Sequence, residues 1–85
     1  MNNLLTLHEA IAVVLLNKEN RTATIHEISE EIAARGLYFQ KSGDIAPPEQ
    51  IRLRTHTNTS AGKQYSHLFE YIEPDKVRLR DLGKI

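Results

Sequence analysis

Two Thr-x-x-Glu pairs, Thr6 with Glu9 and Thr24 with Glu27, mark the points where helices are expected to begin. In such a capping box, each side chain satisfies a backbone N–H that the first turn of a helix leaves without a partner. Each pair is followed by apolar residues at helical spacing. The chain is therefore expected to contain two short amphipathic helices near its beginning.

The spacing of apolar residues gives the extent of these two helices. It predicts a first helix over about Leu7–Asn17 and a second over about Ile25–Arg35. Gly36 follows the second helix where a left-handed residue commonly ends one. The connector Arg21–Ala23 could form one short strand.

A third helix is expected to open at the Pro47-Pro48 pair, because proline is favoured in the first helical turn, where its missing N–H costs nothing. This helix is predicted over about Pro48–Thr57, with Ile51 directed inward. Leu37–Ala46 before it and Asn58–Gln64 after it are predicted to be loops, since both are rich in polar and turn-forming residues.

The last part of the chain changes from helical to strand periodicity. Leu68–Ile72 and Val77–Arg80 are strand-like, and the second alternates strictly, with Val77 and Leu79 inward. The turn Glu73–Lys76 between them predicts an antiparallel β-hairpin. The fold class that follows is α+β: a winged helix-turn-helix with a three-helix core, a C-terminal two-stranded hairpin and a short third strand near 21–23.

The length of 85 residues predicts one domain over 1–85, with its core at about 5–81. The absence of cysteine excludes a disulfide framework and a thiolate metal site. The start of the chain lacks the basic region of a signal peptide, and no apolar run approaches the length of a membrane span. These features predict a cytoplasmic protein without a membrane partner.

The formal net charge is zero, which argues mildly against nucleic-acid binding, because cationic side chains supply most of the affinity for phosphates. The charge is unevenly distributed, however. Residues 1–34 carry two cationic and five acidic side chains, whereas residues 35–85 carry nine cationic and six acidic ones. This split could be chance in so short a chain, or it could separate a basic binding half from an acidic half.

Several segments together resemble one family, the HARE-HTH domains, over about residues 5 to 81. The matching segments are Leu7–Ile11, Ile25–Ile32, Arg35–Tyr38, Ala46-Pro47, His67–Phe69 and Val77–Leu79. Ala46 differs from the threonine that the family often has there, and the loop from Thr59 to Gln64 is long. The resemblance implies a small winged-helix module that binds DNA, often as an accessory to restriction or DNA-modification machinery.

The candidate DNA-binding residues are polar and cationic side chains on the third helix, the hairpin and a nearby loop. They are Gln50, Arg52, Arg54, Thr55, His56, Lys63, Arg78 and Arg80. In helix-turn-helix proteins the recognition helix enters the major groove, where arginine can bind guanine and glutamine can bind adenine through paired hydrogen bonds. Outward cations on the hairpin could follow the phosphates. A solvated helix face and a charge-protected strand edge would show the same pattern.

Other functional classes have weaker support in the sequence. The four histidines lack metal-site spacing, and no nucleophile elbow or phosphate-binding glycine loop is present, so neither a metal, a cofactor, a small-molecule substrate nor catalysis is expected. The main alternative is a protein-interaction module or homodimer that uses the hairpin edge or the acidic face of Glu27, Glu30 and Glu31. A recognition domain of a larger restriction-type enzyme is a third hypothesis.

Overall fold

The computed structural model describes residues 3–56 and 59–80 of the chain. Helix α1 spans Leu7–Leu16 and helix α2 spans Ile25–Arg35, which confirms both predicted helices. Both capping boxes form. The Glu27 N–H donates to Thr24 Oγ1 over 3.0 Å, and the Thr24 N–H donates to Glu27 Oε1 over 2.8 Å. The local sequence thus fixes where these helices begin.

The end of α2 is also set locally. Gly36 adopts φ 62°, in the left-handed region that glycine enters without a Cβ penalty. The Leu37 N–H then donates to the Ile32 carbonyl over 3.0 Å and closes the last turn. This closure directs the chain into the loop that carries Tyr38.

Two further helices follow, where the sequence predicted one helix and a loop. Helix α3 spans Pro48–Thr55 and helix α4 spans Ser60–Gln64. Helix α3 ends at Thr55, before the predicted end at Thr57, because His56 has an extended backbone; Thr57 itself lies outside the described residues. The prediction of a loop over Asn58–Gln64 is wrong for α4, which begins where Thr59 Oγ1 accepts the Gly62 N–H over 2.9 Å.

The sheet has three antiparallel strands in the order β1-β3-β2. They are β1 Thr22–Thr24, β2 Phe69–Ile72 and β3 Lys76–Leu79. The predicted hairpin is confirmed, and the additional strand forms at Thr22–Thr24, one residue later than predicted. Among the described residues the protein is an α+β molecule with four α-helices and one three-stranded antiparallel sheet.

The buried apolar side chains form one cluster between the helices and the sheet. Ile11 of α1, Ile28 of α2, Ile51 of α3 and Phe69 of β2 are all fully buried. Together with Val77 they join helices and sheet through apolar burial, which favours the compact state in proportion to the area removed from water. No helix in the described part of the chain is both long and apolar enough to cross a membrane.

Candidate nucleic-acid interface

Helix α3 is held against α1 and α2 by its inward side chains. Ile51 and Thr55, one helical turn apart, are fully buried. The N-terminal end is fixed without a side-chain cap: Pro47 precedes the helix, and the buried Ser29 hydroxyl donates to the Ala46 carbonyl over 2.6 Å. This packing leaves Gln50, Arg52 and Arg54 half-buried at the surface.

Two residues predicted to contact DNA, Thr55 at the end of α3 and His56 directly after it, are buried, which does not fit a groove contact. The Thr55 hydroxyl donates to the Ile51 carbonyl over 2.8 Å. His56 Nε2 donates to Glu73 Oε2 over 2.8 Å, and the His56 ring packs on the Tyr71 ring with centroids 4.6 Å apart. These residues attach α3 to the core and the hairpin and are not available to a ligand.

Arg52 lies on the side of α3 that faces the hairpin turn, in an acidic environment. Its guanidinium Nη2 pairs with Glu49 Oε2 at 2.9 Å, and Nε also donates to that carboxylate. The hydrogen bond from Arg52 holds the pKa of Glu49 below its usual value, while the same bond and Glu49's charge raise the pKa of Arg52, with a smaller contribution from Glu73. The positive charge of Arg52 is thus paired with a carboxylate one turn earlier in the same helix.

Arg54 lies on a different side of α3, next to the loop that precedes the helix. Together with Gln50, Lys41 and Tyr38 it lines a surface concavity of about 390 Å³. Within residues 3–56 and 59–80, Arg54 forms no ion pair. Of the two arginines predicted to enter a groove, the structure therefore leaves the charge of Arg54 unneutralised and pairs that of Arg52.

The predicted cations outside α3 also differ in their surroundings. Arg78 on β3 pairs with Glu70 on β2, with Nη1 and Oε1 3.1 Å apart. Arg80 is exposed, and its Nε donates to the Ser66 carbonyl over 2.9 Å. Lys63 is exposed on α4. Arg80 and Lys63 thus remain accessible to a ligand, whereas the charge of Arg78 is compensated in the sheet.

The concave surface beside α3 also includes aromatic residues outside the set of candidate DNA-binding residues. His8 of α1 and Tyr65 after α4 stack with ring centroids 4.2 Å apart, and they line a second concavity together with Arg54 and Tyr38. These residues are far apart in the chain, and nothing in their local spacing indicates that they meet.

The described residues include no cluster of three or more His, Cys, Asp or Glu side chains that could hold a metal ion.

Arg54 and the exposed Lys41 therefore line one concavity beside α3, whereas Arg52, on the side of the hairpin turn, is paired with Glu49. A surface with an unpaired arginine, neighbouring lysine and exposed polar side chains is suited to a polyanion.

Comparisons of the chain with protein-family models, with curated proteins and with solved structures found no match.

Proposed function

We propose that this protein is a winged-helix module that binds duplex DNA through the side of α3 that carries Gln50 and Arg54. The observation that carries the proposal is Arg54, a half-buried arginine without an ion pair in the described part of the chain, beside Gln50 and Lys41. The resemblance to HARE-HTH domains supports the same proposal, including an accessory role in restriction or DNA modification.

The dimensions and chemistry of α3 fit this function. Its eight residues make a rod about 12 Å long, close to the width of the major groove. Arg54 would bind the O6 and N7 of guanine and Gln50 would bind adenine, each through two hydrogen bonds. Exposed Lys63 and Arg80 would contact phosphates, which adds affinity without sequence information.

Arg52 and Arg78 contribute less to DNA binding in this proposal than the sequence analysis predicts. Arg52 and Arg78 are neutralised by Glu49 and Glu70, so each would have to exchange a carboxylate for a phosphate on binding. Such an exchange gains little in net charge. We therefore assign the groove contact to Arg54 and give Arg52 a secondary role.

We expect Arg54→Ala to weaken binding to a short DNA duplex about tenfold, because it removes a hydrogen-bonded cation from the contact surface. It should also reduce the salt dependence of binding by about one phosphate contact. The measurement is fluorescence anisotropy at about 50 mM and about 200 mM salt. The matched control is Lys18→Ala, which removes an equal charge beyond the opposite end of α1 and should change affinity less than twofold.

A second variant in the same titration tests whether the ion pair with Glu49 limits the contribution of Arg52 to DNA binding. Glu49→Gln releases the guanidinium of Arg52 from its partner and is expected to raise DNA affinity several-fold. If Arg54→Ala and Lys18→Ala weaken binding equally, the contact surface proposed here is incorrect. If the wild-type protein does not bind duplex DNA at the lower salt concentration, the proposed function fails.

A homodimer through the β2 edge is a second candidate function. In the described sheet β2 pairs only with β3, so its other edge offers backbone groups for a further strand. The acidic face of α1 and α2 is less suited as a docking surface. Glu27 is bound in a capping box, and Glu31 pairs with Lys18 and Arg35. Glu30 is exposed and forms no ion pair within the described residues.

This alternative predicts a species of twice the chain mass in sedimentation equilibrium, insensitive to salt because backbone hydrogen bonds would hold it together. Two copies of β2 would pair across a two-fold axis and extend the sheet. A monomer at all accessible concentrations, together with salt-sensitive DNA binding, would exclude the dimer and leave the DNA-binding proposal in place.

A further inference from the structure

Two neighbouring concavities share the residues Leu7, Tyr38 and Arg54 and together form one groove beside α3. One half has a volume of about 390 Å³ and is bordered by Lys41 and Gln50. The other has a volume of about 370 Å³ and is bordered by His8 and Tyr65. We call this surface the Arg54 groove. Each half falls within the roughly 300–1,000 Å³ typical of small-ligand sites.

The two halves of the groove differ in chemistry. The Lys41 half is cationic and polar, with Arg54 and Gln50 on its other side. The His8 half contains the stacked ring pair, with an interplanar angle of 23°. None of the described residues that line either half is an aspartate or a glutamate. The groove thus joins a site for an anionic group to a site for a flat ring.

Local hydrogen bonds hold the walls of the groove in place without any ligand. The Asn3 side chain bonds the backbone of Phe39 twice, donating to its carbonyl over 2.7 Å and accepting its N–H over 3.0 Å. This clamp fixes the segment that carries Tyr38. In the adjoining loop, the Gln40 N–H donates to the Asp44 carbonyl over 2.8 Å and closes the turn that carries Lys41. Side chains and loops that are already ordered lose less conformational entropy when a ligand binds than disordered ones do.

Two carboxylates lie near the groove, and both have partners. Asp44 Oδ2 accepts the Ser42 hydroxyl over 3.0 Å. Glu9 accepts the Thr6 N–H in the first capping box, and this bond lowers the pKa of Glu9. The positive charge at Arg54 is therefore not cancelled by a direct carboxylate contact.

We propose that the Arg54 groove binds one unpaired nucleotide of a DNA strand. The base stacks on the His8–Tyr65 pair, and the adjoining phosphates bind Lys41 and Arg54, which in this complex contacts phosphate in place of the guanine that it binds in a fully paired duplex. Proteins that bind unpaired bases combine these two features, since aromatic rings stack on any base and cationic side chains follow the backbone. The inference rests on the proposed DNA-binding function and adds to it a preference for duplexes that contain an extrahelical base.

The test compares three short duplexes of the same sequence, of which the first is fully paired. The second carries one bulged thymidine, and the third carries a bulged abasic nucleotide, which bends the duplex equally but has no base. We expect the wild-type protein to bind the bulged thymidine about tenfold more tightly than either other duplex, since stacking requires the base. Equal affinity for all three duplexes, or for the two bulged ones, overturns the inference while leaving the proposed function intact.

Tyr65→Leu and His8→Leu remove one ring each and keep apolar volume at the site. Each is expected to bring the preference for the bulged thymidine below about threefold while leaving affinity for the paired duplex unchanged. A bulged 2-aminopurine should lose fluorescence on binding to the wild-type protein and not to Tyr65→Leu. Urea melting of each variant verifies that it folds. A preference that survives in both variants overturns the inference.

Two further outcomes are informative. One distinguishes nucleotide binding from general anion binding, and the other shows whether the protein binds DNA at all. Polyglutamate of matched charge should compete poorly with the bulged duplex, and equal competition overturns the inference by showing that the groove accepts any polyanion. Absence of binding to all three duplexes contradicts the proposed function, and the inference fails with it.

Discussion

Phe69→Ala is expected to lower the free energy of unfolding by about 3–5 kcal/mol, the range observed when a buried aromatic side chain is truncated to alanine. Phe69 on β2 is completely buried in the cluster that joins the sheet to the helices. A domain of this size has a total stability of about 5–15 kcal/mol, so this one change removes a large part of it. Urea unfolding followed by far-UV circular dichroism measures the effect.

The graded control at the same position is Phe69→Leu, which retains most of the apolar volume and should cost less than about 1.5 kcal/mol. The comparison separates lost packing from any general intolerance of β2 to substitution. A loss of less than about 1 kcal/mol for Phe69→Ala would mean that Phe69 does not occupy the centre of the core.

Gly62→Ala is expected to destabilise the protein by about 3 kcal/mol, the upper end of the range for an overpacked site. Gly62 is buried in α4, and a Cβ there would overlap the backbone carbonyl of His56 and lie 2.8 Å from Thr59 Oγ1. A backbone carbonyl cannot rotate away as a flexible side chain can. The chain must therefore shift α4 away from the end of α3 to admit the methyl group.

Urea unfolding measures this effect too, with Lys63→Ala as the matched control. Lys63 is the next residue of α4 and is exposed, so its replacement should change the unfolding free energy by less than about 0.5 kcal/mol. Equal stability of Gly62→Ala and the wild-type protein would contradict the close approach of α4 to His56.

The parts of the fold that the sequence predicts correctly are those that depend on residues close together in the chain. Both capping boxes, the glycine that ends α2 and the alternation of Val77 and Leu79 are local patterns, and the structure confirms each of them. The helix α4 was missed because its sequence is polar and contains glycine. Thr59, a favoured N-cap residue, was the one local indication of its start.

The candidate site was harder to predict because its composition depends on contacts between distant segments. Helical spacing placed Arg52 and Arg54 on α3, but only the packed structure shows that Glu49 neutralises the first and that Tyr38 and Lys41 surround the second. Burial of Thr55 and His56 likewise depends on how α3 meets the hairpin. Whether these arrangements serve DNA remains the proposal that the binding experiments test.

The contact between His56 and Glu73 has a mechanical consequence for any ligand that engages the α3 surface. It joins the residue that directly follows α3 to the turn between β2 and β3, and the His56 ring also packs on Tyr71. Because closely packed elements transmit displacement with little slack, a tilt of α3 would pull the hairpin tip in the same direction. Helix α3 and the hairpin would thus contact a target as one rigid body, and neither would adjust its position independently of the other.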